Sequence, residues 1–224
     1  MQIKVTATRF LSLEMDEVGA IKYEVTPLNT SAEITFLPYV DGGITNEDTN
    51  WDDAFWDVYK TGAQNDFGYV VSKTNKTEYH VCTGMISTLF LNNEKLTIAP
   101  QENIEALKAA FSYTIEAKKG ETAAIEKMGG YVTSLNYKAE NLVEASLKVL
   151  SNASKIGFDA LLEKQKEAWA SIWEMADVTI NGDVKAQQGI RFNIFHLNQT
   201  YDLLMAFQSM PINAIKLIPT NNHK

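Results

Sequence analysis

The sequence is short of cysteine, of histidine and of positive charge, and these shortages remove classes of function. Its single cysteine, Cys82, excludes an internal disulfide framework and any site built from several thiolates. In a strand such a residue reads as a small buried apolar side chain. Lys and Arg number 20 against 28 Asp and Glu, for a net charge of -8, and the basic residues nowhere form a run. A nucleic-acid phosphate backbone is therefore not an expected partner. No apolar run approaches the roughly 18 residues of a membrane span. The opening Met1-Gln2-Ile3-Lys4-Val5-Thr6 also lacks the apolar core of a signal peptide, so the chain as given reads as cytoplasmic. The pairs Gly42-Gly43 and Gly129-Gly130 stand outside the GxxxxGK[ST] and GxGxxG frames, which argues against nucleotide binding.

What remains is ordinary for a globular protein: 224 residues, 45% hydrophobic and 21% charged, enough for one large domain or two small ones. From Ile3 to about Tyr137 the apolar residues favour period two, as in Ile3/Val5/Ala7, Ile21/Tyr23/Val25 and Phe111/Tyr113/Ile115. That pattern predicts antiparallel strands with one buried face. Turn-forming residues break it at Asp16-Glu17, Pro27-Leu28-Asn29, Asp41-Gly42-Gly43, Asn92-Asn93, Lys119-Gly120 and Gly129-Gly130. The segment 99–110 fits either a short helix or a loop and edge leading into the strand at Phe111.

Around Asn136 the period becomes helical. Leu142, Ala145, Val149 and Asn152, with Val143, Leu147 and Leu150 beside them, predict one amphipathic helix ended at Ile156-Gly157 by a glycine cap. A second runs from about Phe158 to Met175 with Phe158, Leu161, Leu162, Gln165, Trp169, Ile172 and Trp173 on its apolar side, and the two should pack together. Asp177 to Ile180 reads as a brief strand, and Asp183 as the N-cap of a third helix. On that helix Ile190, Ile194, Leu197 and Tyr201 share one stripe, widened by Phe192 and Phe195, more apolar surface than one partner helix would bury.

Few residues suggest chemistry. The segment 46–57, NEDTNWDDAFWD, holds five carboxylates beside Trp51 and Trp56. Acidic oxygens suit a hard cation and indoles suit a sugar ring, but the segment lacks the glycine and terminal glutamate of an EF-hand. An acidic loop fastened by Trp51, Phe55 and Trp56 is the simpler reading. His80 and Cys82, two apart in a predicted strand, point to one face, yet no third orienting group or further thiol accompanies them. His196 falls between Phe195 and Leu197, where a packed helix histidine is expected. No metal ligands, cofactor-binding residues or catalytic residues are assigned.

Four blocks carry a resemblance: TRFLSLEMDEVGAIKYEVTPLN (Thr8 to Asn29), DGGITNED (Asp41 to Asp48), YHVCTGM (Tyr79 to Met85) and WASIWEMADVTINGD running into AQQGIRFNIFHLNQTY (Ala186 to Tyr201). In this order they resemble the N-terminal sandwich and its junction with the helical barrel in family 65 glycoside phosphorylases and hydrolases, the maltose, trehalose and kojibiose phosphorylases. The resemblance implies a mainly β fold with C-terminal helices: an antiparallel β-sandwich of the galactose-mutarotase-like type, a helical linker, and the first helix of an absent (α/α)6 barrel. It divides the chain into a partial sandwich at 1–137, a linker at 138–183, the first barrel helix at 184–201 and a divergent tail at 202–224. The alternation is already under way at Ile3 and the resemblance halts at Tyr201, so the expectation is a piece of a longer enzyme, produced by truncation or an altered reading frame.

Inverting cleavage of a glycoside needs a carboxylic acid to protonate the leaving oxygen and an opposed nucleophile. The resemblance implies that inorganic phosphate takes the nucleophile's place as co-substrate, and that the acid and phosphate-holding groups lie in the barrel. Glu14, Glu17 and Asp53 are therefore not assigned that role. The implied partners are the catalytic barrel and a second copy in a homodimer. The alternative is a free-standing sandwich that binds carbohydrate or protein, with Trp51 and Trp56 as its sugar platform. Missing segments supplied in trans are a third possibility.

Overall fold

The computed structural model of the chain describes residues 1–44 and 55–207, with side chains to residue 199. In chain order the strands are β1 (Ile3–Leu11), β2 (Val18–Pro27), β3 (Ala32–Phe36), β4 (Tyr39–Asp41), β5 (Trp56–Gln64), β6 (Phe67–Thr74), β7 (His80–Leu91), β8 (Glu94–Leu96), β9 (Gln101–Ile104), β10 (Lys108–Ala117) and β11 (Ala123–Thr133). Three helices follow, α1 (Leu142–Ile156), α2 (Phe158–Ala176) and α3 (Val184–Phe207). The order β1-β2-β11-β7-β6-β5, with β8 beside β7, makes a seven-stranded sheet, and β3-β10-β4, with β9 beside β10, makes a four-stranded one. All described strand pairs are antiparallel, as expected, but β6, β7 and β11 bury residues of both parities instead of one face, because the large sheet is covered on both sides.

The large sheet is the middle of three layers. Between the sheets lie Val25, Val70, Met85, Leu89, Phe111, Tyr113, Ile115 and Ile125. The other face of the large sheet carries Val18, Ala20, Phe67, Ile86 and Met128 against Leu150, Ala153, Phe158 and Leu161 of α1 and α2. Strand β10 shows how period two meets this demand, burying Phe111, Tyr113 and Ile115 while Ser112, Thr114 and Glu116 turn away. Segment 99–110 contains β9 and the start of β10, which decides for edge and strand over helix.

Several expected boundaries appear with their chemistry. Asn92 and Asn93 take φ of 50° and 68° in the two-residue turn from β7 to β8. Gly157, at φ 84°, ends α1 and donates its N–H to the Ala153 carbonyl. The Asp183 carboxylate accepts from the Ala186 N–H at 3.0 Å, capping α3.

Three expectations are corrected. Gly129-Gly130 is no break but lies inside β11, where Gly130 faces Gly84 of β7. A Cβ on Gly130 would stand 2.0 Å from the Glu17 carbonyl oxygen, and one on Gly84 2.4 Å from Ser146 Oγ, so both glycines admit close neighbours. The deepest seam of α1 runs through Leu142, Ser146, Leu150 and Ala153, not Ala145, Val149 and Asn152. A small seam of Ser and Ala lets the helix approach the glycine-bearing strands.

The third correction concerns Asp177 to Ile180, which joins no sheet. Its backbone groups pair with a side chain instead: Gln187 Oε1 accepts from the Ile180 N–H at 2.6 Å, and its Nε2 donates to the Val178 carbonyl at 2.8 Å. Arg191 adds a forked ion pair to Asp177, with Nε to Oδ1 at 2.9 Å. A carboxamide thus does the work of a neighbouring strand and fastens the linker to α3.

Candidate functional site

The β1–β2 connection, Ser12 to Glu17, builds an end of the large sheet where strands and helices leave space. Ser12 Oγ accepts from the backbone N–H groups of Glu14 and Met15 at 3.2 and 2.9 Å, closing a tight turn. That turn is then tied outward. The Leu13 N–H donates to Gln165 Oε1 on α2 at 2.7 Å, Lys164 pairs with Glu14 at 2.7 Å, and the Tyr131 N–H donates to the Glu17 carbonyl at 3.1 Å. Between this turn, Gly129 and Gly130 of β11, and the helices is a cavity of about 800 Å3, lined also by Arg9, Phe10, Lys127, Trp169, Phe195 and Gln199. Trp169 and Phe195 stack at 4.8 Å and form the wall shared by α2 and α3.

The charges around the cavity are modified by burial. Desolvation pushes the Glu17 carboxyl up, opposed by the hydrogen bond it accepts from the Tyr137 hydroxyl at 3.1 Å and assisted by nearby Asp16. Burial lowers the Lys127 ammonium, whose Nζ donates to the Tyr39 carbonyl at 2.5 Å. These groups hold the turn and the sheets together. Glu17 has no opposed carboxylate arranged for glycoside cleavage in the described cavity lining, where the remaining acid is the adjacent Asp16.

The residues considered from sequence alone are not gathered here. Glu14 is exposed in its pair with Lys164. Trp51 and Asp53, with most of the acidic segment, lie outside the described residues; Phe55 is exposed, and Trp56 is half-buried at the start of β5. His80 Nδ1, on β7, shares a hydrogen bond with the Tyr59 hydroxyl of β5 at 2.9 Å. His196 packs edge-on to Phe192 at 4.2 Å on α3. Gln165, Arg9 and Gln199 gave no sequence signal as cavity residues, because Gln165 reads only as a polar interruption of an apolar helix face.

Cys82 is fully buried against Val71, Val132 and Leu142, and burial pushes its thiol up to about 12. A group raised in the folded state makes folding favourable below its unfolded value and loses that contribution as pH rises through the folded one. For Cys82 the loss therefore runs from about 9 to about 12. Native protein at pH 8 should leave Cys82 unmodified by iodoacetamide over hours, while denatured protein reacts fully; rapid native labelling, read by intact mass, would contradict the buried position.

Comparison with known proteins agrees with the three-layer fold. Residues 1–172 match the family described as glycosyl hydrolase family 65, N-terminal domain. The chain is similar to maltose phosphorylase of Bacillus subtilis, 29% identical over 199 residues covering 89% of this chain and 26% of that protein. It is also similar to alpha,alpha-trehalose phosphorylase of Thermoanaerobacter brockii, 30% identical with 88% of this chain and 26% of that protein covered. A solved structure from the human microbiome, assigned as a kojibiose phosphorylase, superposes with a TM-score of 0.74 at 20% identity over 87% of this chain and 24% of its own. The chain thus spans about a quarter of the length of these relatives.

Proposed function

Because the chain belongs to glycosyl hydrolase family 65, as an N-terminal domain, we propose that it serves a disaccharide phosphorylase as its non-catalytic part, seating the catalytic barrel and contributing to the contact between two subunits. The whole enzyme would use inorganic phosphate to split an α-glucoside such as maltose into β-glucose 1-phosphate and glucose, in the cytoplasm. The observation that supports this reading is α3, which the Gln187 and Arg191 contacts hold in one direction while Phe192 and Leu197 stand 61% and 69% exposed. A helix aimed and left apolar is suited to receive further helices. The domain division into sandwich, linker and first barrel helix follows from the same reading.

Two assays test it. The 224-residue chain incubated with phosphate and maltose, trehalose or kojibiose should release no glucose; release from this chain alone would overturn the non-catalytic assignment. Maltose titration followed by tryptophan fluorescence should be flat, since Trp169 is engaged with Phe195 and Trp56 is half-buried. A saturable response at micromolar to millimolar maltose would instead favour a free-standing carbohydrate-binding sandwich.

A further inference from the structure

Asparagine is a thermolabile side chain, most so where the next residue leaves its backbone nitrogen unshielded. One asparagine of the sequence is followed by glycine: Asn181, in the turn between the Asp177 to Ile180 segment and α3. Asn181 and Gly182 are both exposed, and neither takes part in a hydrogen bond with another described residue. Gly182 stands at φ 92° with nothing within 4 Å of an added Cβ, so no neighbour screens its nitrogen. Other asparagines are held. Asn29 and Asn92 accept from the N–H groups of Gln2 and Thr122 at 2.9 Å, Asn103 Nδ2 donates to Glu105 at 3.3 Å, and Asn198 Nδ2 donates to the Ile194 carbonyl at 2.9 Å.

From this turn we infer that Asn181 is a modification site, at which the chain deamidates itself with water as co-reactant and so loosens the seat of α3. The Gly182 amide nitrogen attacks Asn181 Cγ. The new N–Cγ bond forms as the carboxamide C–N bond breaks, and the displaced nitrogen leaves as ammonia with the proton that the Gly182 N–H gives up. The ring that results is a succinimide, and nothing is oxidised or reduced. Water then opens it at either carbonyl: opening at Cγ leaves aspartate on an unaltered backbone, and opening at the Asn181 backbone carbonyl leaves isoaspartate, whose main chain runs through Cβ and Cγ. The two products act differently on the helix. Aspartate places a negative charge before the α3 N-terminus, where it is favoured. Isoaspartate adds one carbon to the main chain, about 1.5 Å, directly after Ile180. That longer link shifts Ile180 and Val178 away from Gln187, which holds them through hydrogen bonds of 2.6 and 2.8 Å.

The test ages the full chain at about 37 °C and pH 8 for about two weeks and follows the tryptic peptide Glu167 to Lys185 by mass. The expected result is conversion of carboxamide to acid in this peptide at least tenfold faster than in the peptides holding Asn92 and Asn103, with isoaspartate in the product detected by isoaspartyl methyltransferase labelling. Asn181→Gln should abolish the change. Amide exchange at Ile180, read by NMR, should be at least tenfold faster in the aged parent than in the fresh one. Aged Asn181→Gln and fresh Asn181→Asp should both keep the slow exchange, since neither lengthens the main chain. An Asn181 that stays intact in the folded chain, while the urea-unfolded chain deamidates there, would overturn the site. Isoaspartate at this position with unchanged exchange at Ile180 would overturn the loosening of α3.

Discussion

Gly130→Ala lowers the stability of the folded chain by about 3 kcal/mol or more, at the upper end of the usual cost of overpacking. The added methyl would stand 2.0 Å from the Glu17 carbonyl oxygen and 3.1 Å from its carbon. Both are backbone atoms, held by the hydrogen bond from the Tyr131 N–H, so no side chain can rotate out of the way. Relief requires either β11 or the Ser12 to Glu17 turn to move, and that turn is tied to α2 through Leu13 and Glu14. Urea unfolding followed by circular dichroism gives the difference. Gly120→Ala is the comparison, because Gly120 sits at φ 85° with nothing within 4 Å of the added atom, and should cost only about 1 kcal/mol from backbone strain. Equal losses at the two positions would refute the close-approach account.

Glu126→Ala is the second large effect, also about 3 kcal/mol, from breaking a largely buried ion pair. Glu126 sits on β11 with its side chain 9% exposed, pairs with Lys22 of β2 at 3.2 Å, and accepts from the Phe158 N–H at the start of α2 at 3.4 Å. Its removal leaves Lys22 without its buried partner and the first turn of α2 without an acceptor. Asp159 also touches Lys22, at 3.3 Å, but is 81% exposed, so Asp159→Ala should change stability by less than about 1 kcal/mol.

A pH series adds a separate check. Burial opposes the Lys22 charge, but Glu126 and then Asp159 more than offset it, so the lysine is raised above its ordinary value. Its contribution is present below the ordinary lysine value of 10.5 and is lost as pH rises through the raised one. The difference between parent and Glu126→Ala should therefore hold from neutral pH to about 10 and shrink only above it. Hydrogen exchange should show the loss concentrated at the start of α2.

What the sequence made legible was local. The alternation in β10, the asparagine turn after β7, the glycine after α1 and the Asp183 cap each depend on residues within a few positions, and all appear where expected. The errors share a different cause. Gly129-Gly130 looks like a turn because a glycine pair is permissive, but its purpose is set by Glu17, more than a hundred positions away in the chain and adjacent in space. Asp177 to Ile180 is correctly read as a separate segment before α3 and wrongly given a strand partner, because nothing in its own residues announces that Gln187 will fill that place.

The quoted blocks gain a physical reading. In TRFLSLEMDEVGA the turn from Ser12 to Glu17 closes on itself and is tied to β11 by the Tyr131 N–H. In DGGITNED, a Cβ on Gly42 would stand 2.6 and 2.7 Å from methyl groups of Val58 and Val70; in YHVCTGM, Gly84 receives Ser146. In these three stretches a turn or a glycine thus meets a neighbouring element closely, whereas Gly182 and Gly189 of the fourth have nothing within 4 Å of an added Cβ. The cavity at the same end was not legible, because Arg9, Gln165, Trp169 and Phe195 belong to three different elements and acquire a common neighbourhood only when those elements close.

Gln187 has a consequence in leverage. Helix α3 has 24 residues and so extends about 36 Å. A rotation of about 5° where it leaves the linker would displace its far end by roughly 3 Å, about half a helical turn. Two hydrogen bonds from one carboxamide, with the forked pair between Arg191 and Asp177, oppose that rotation at its pivot, where a small restoring contact controls the largest displacement. Aiming accuracy at the end of the helix is thereby set within the first two turns, before any contact its far end makes.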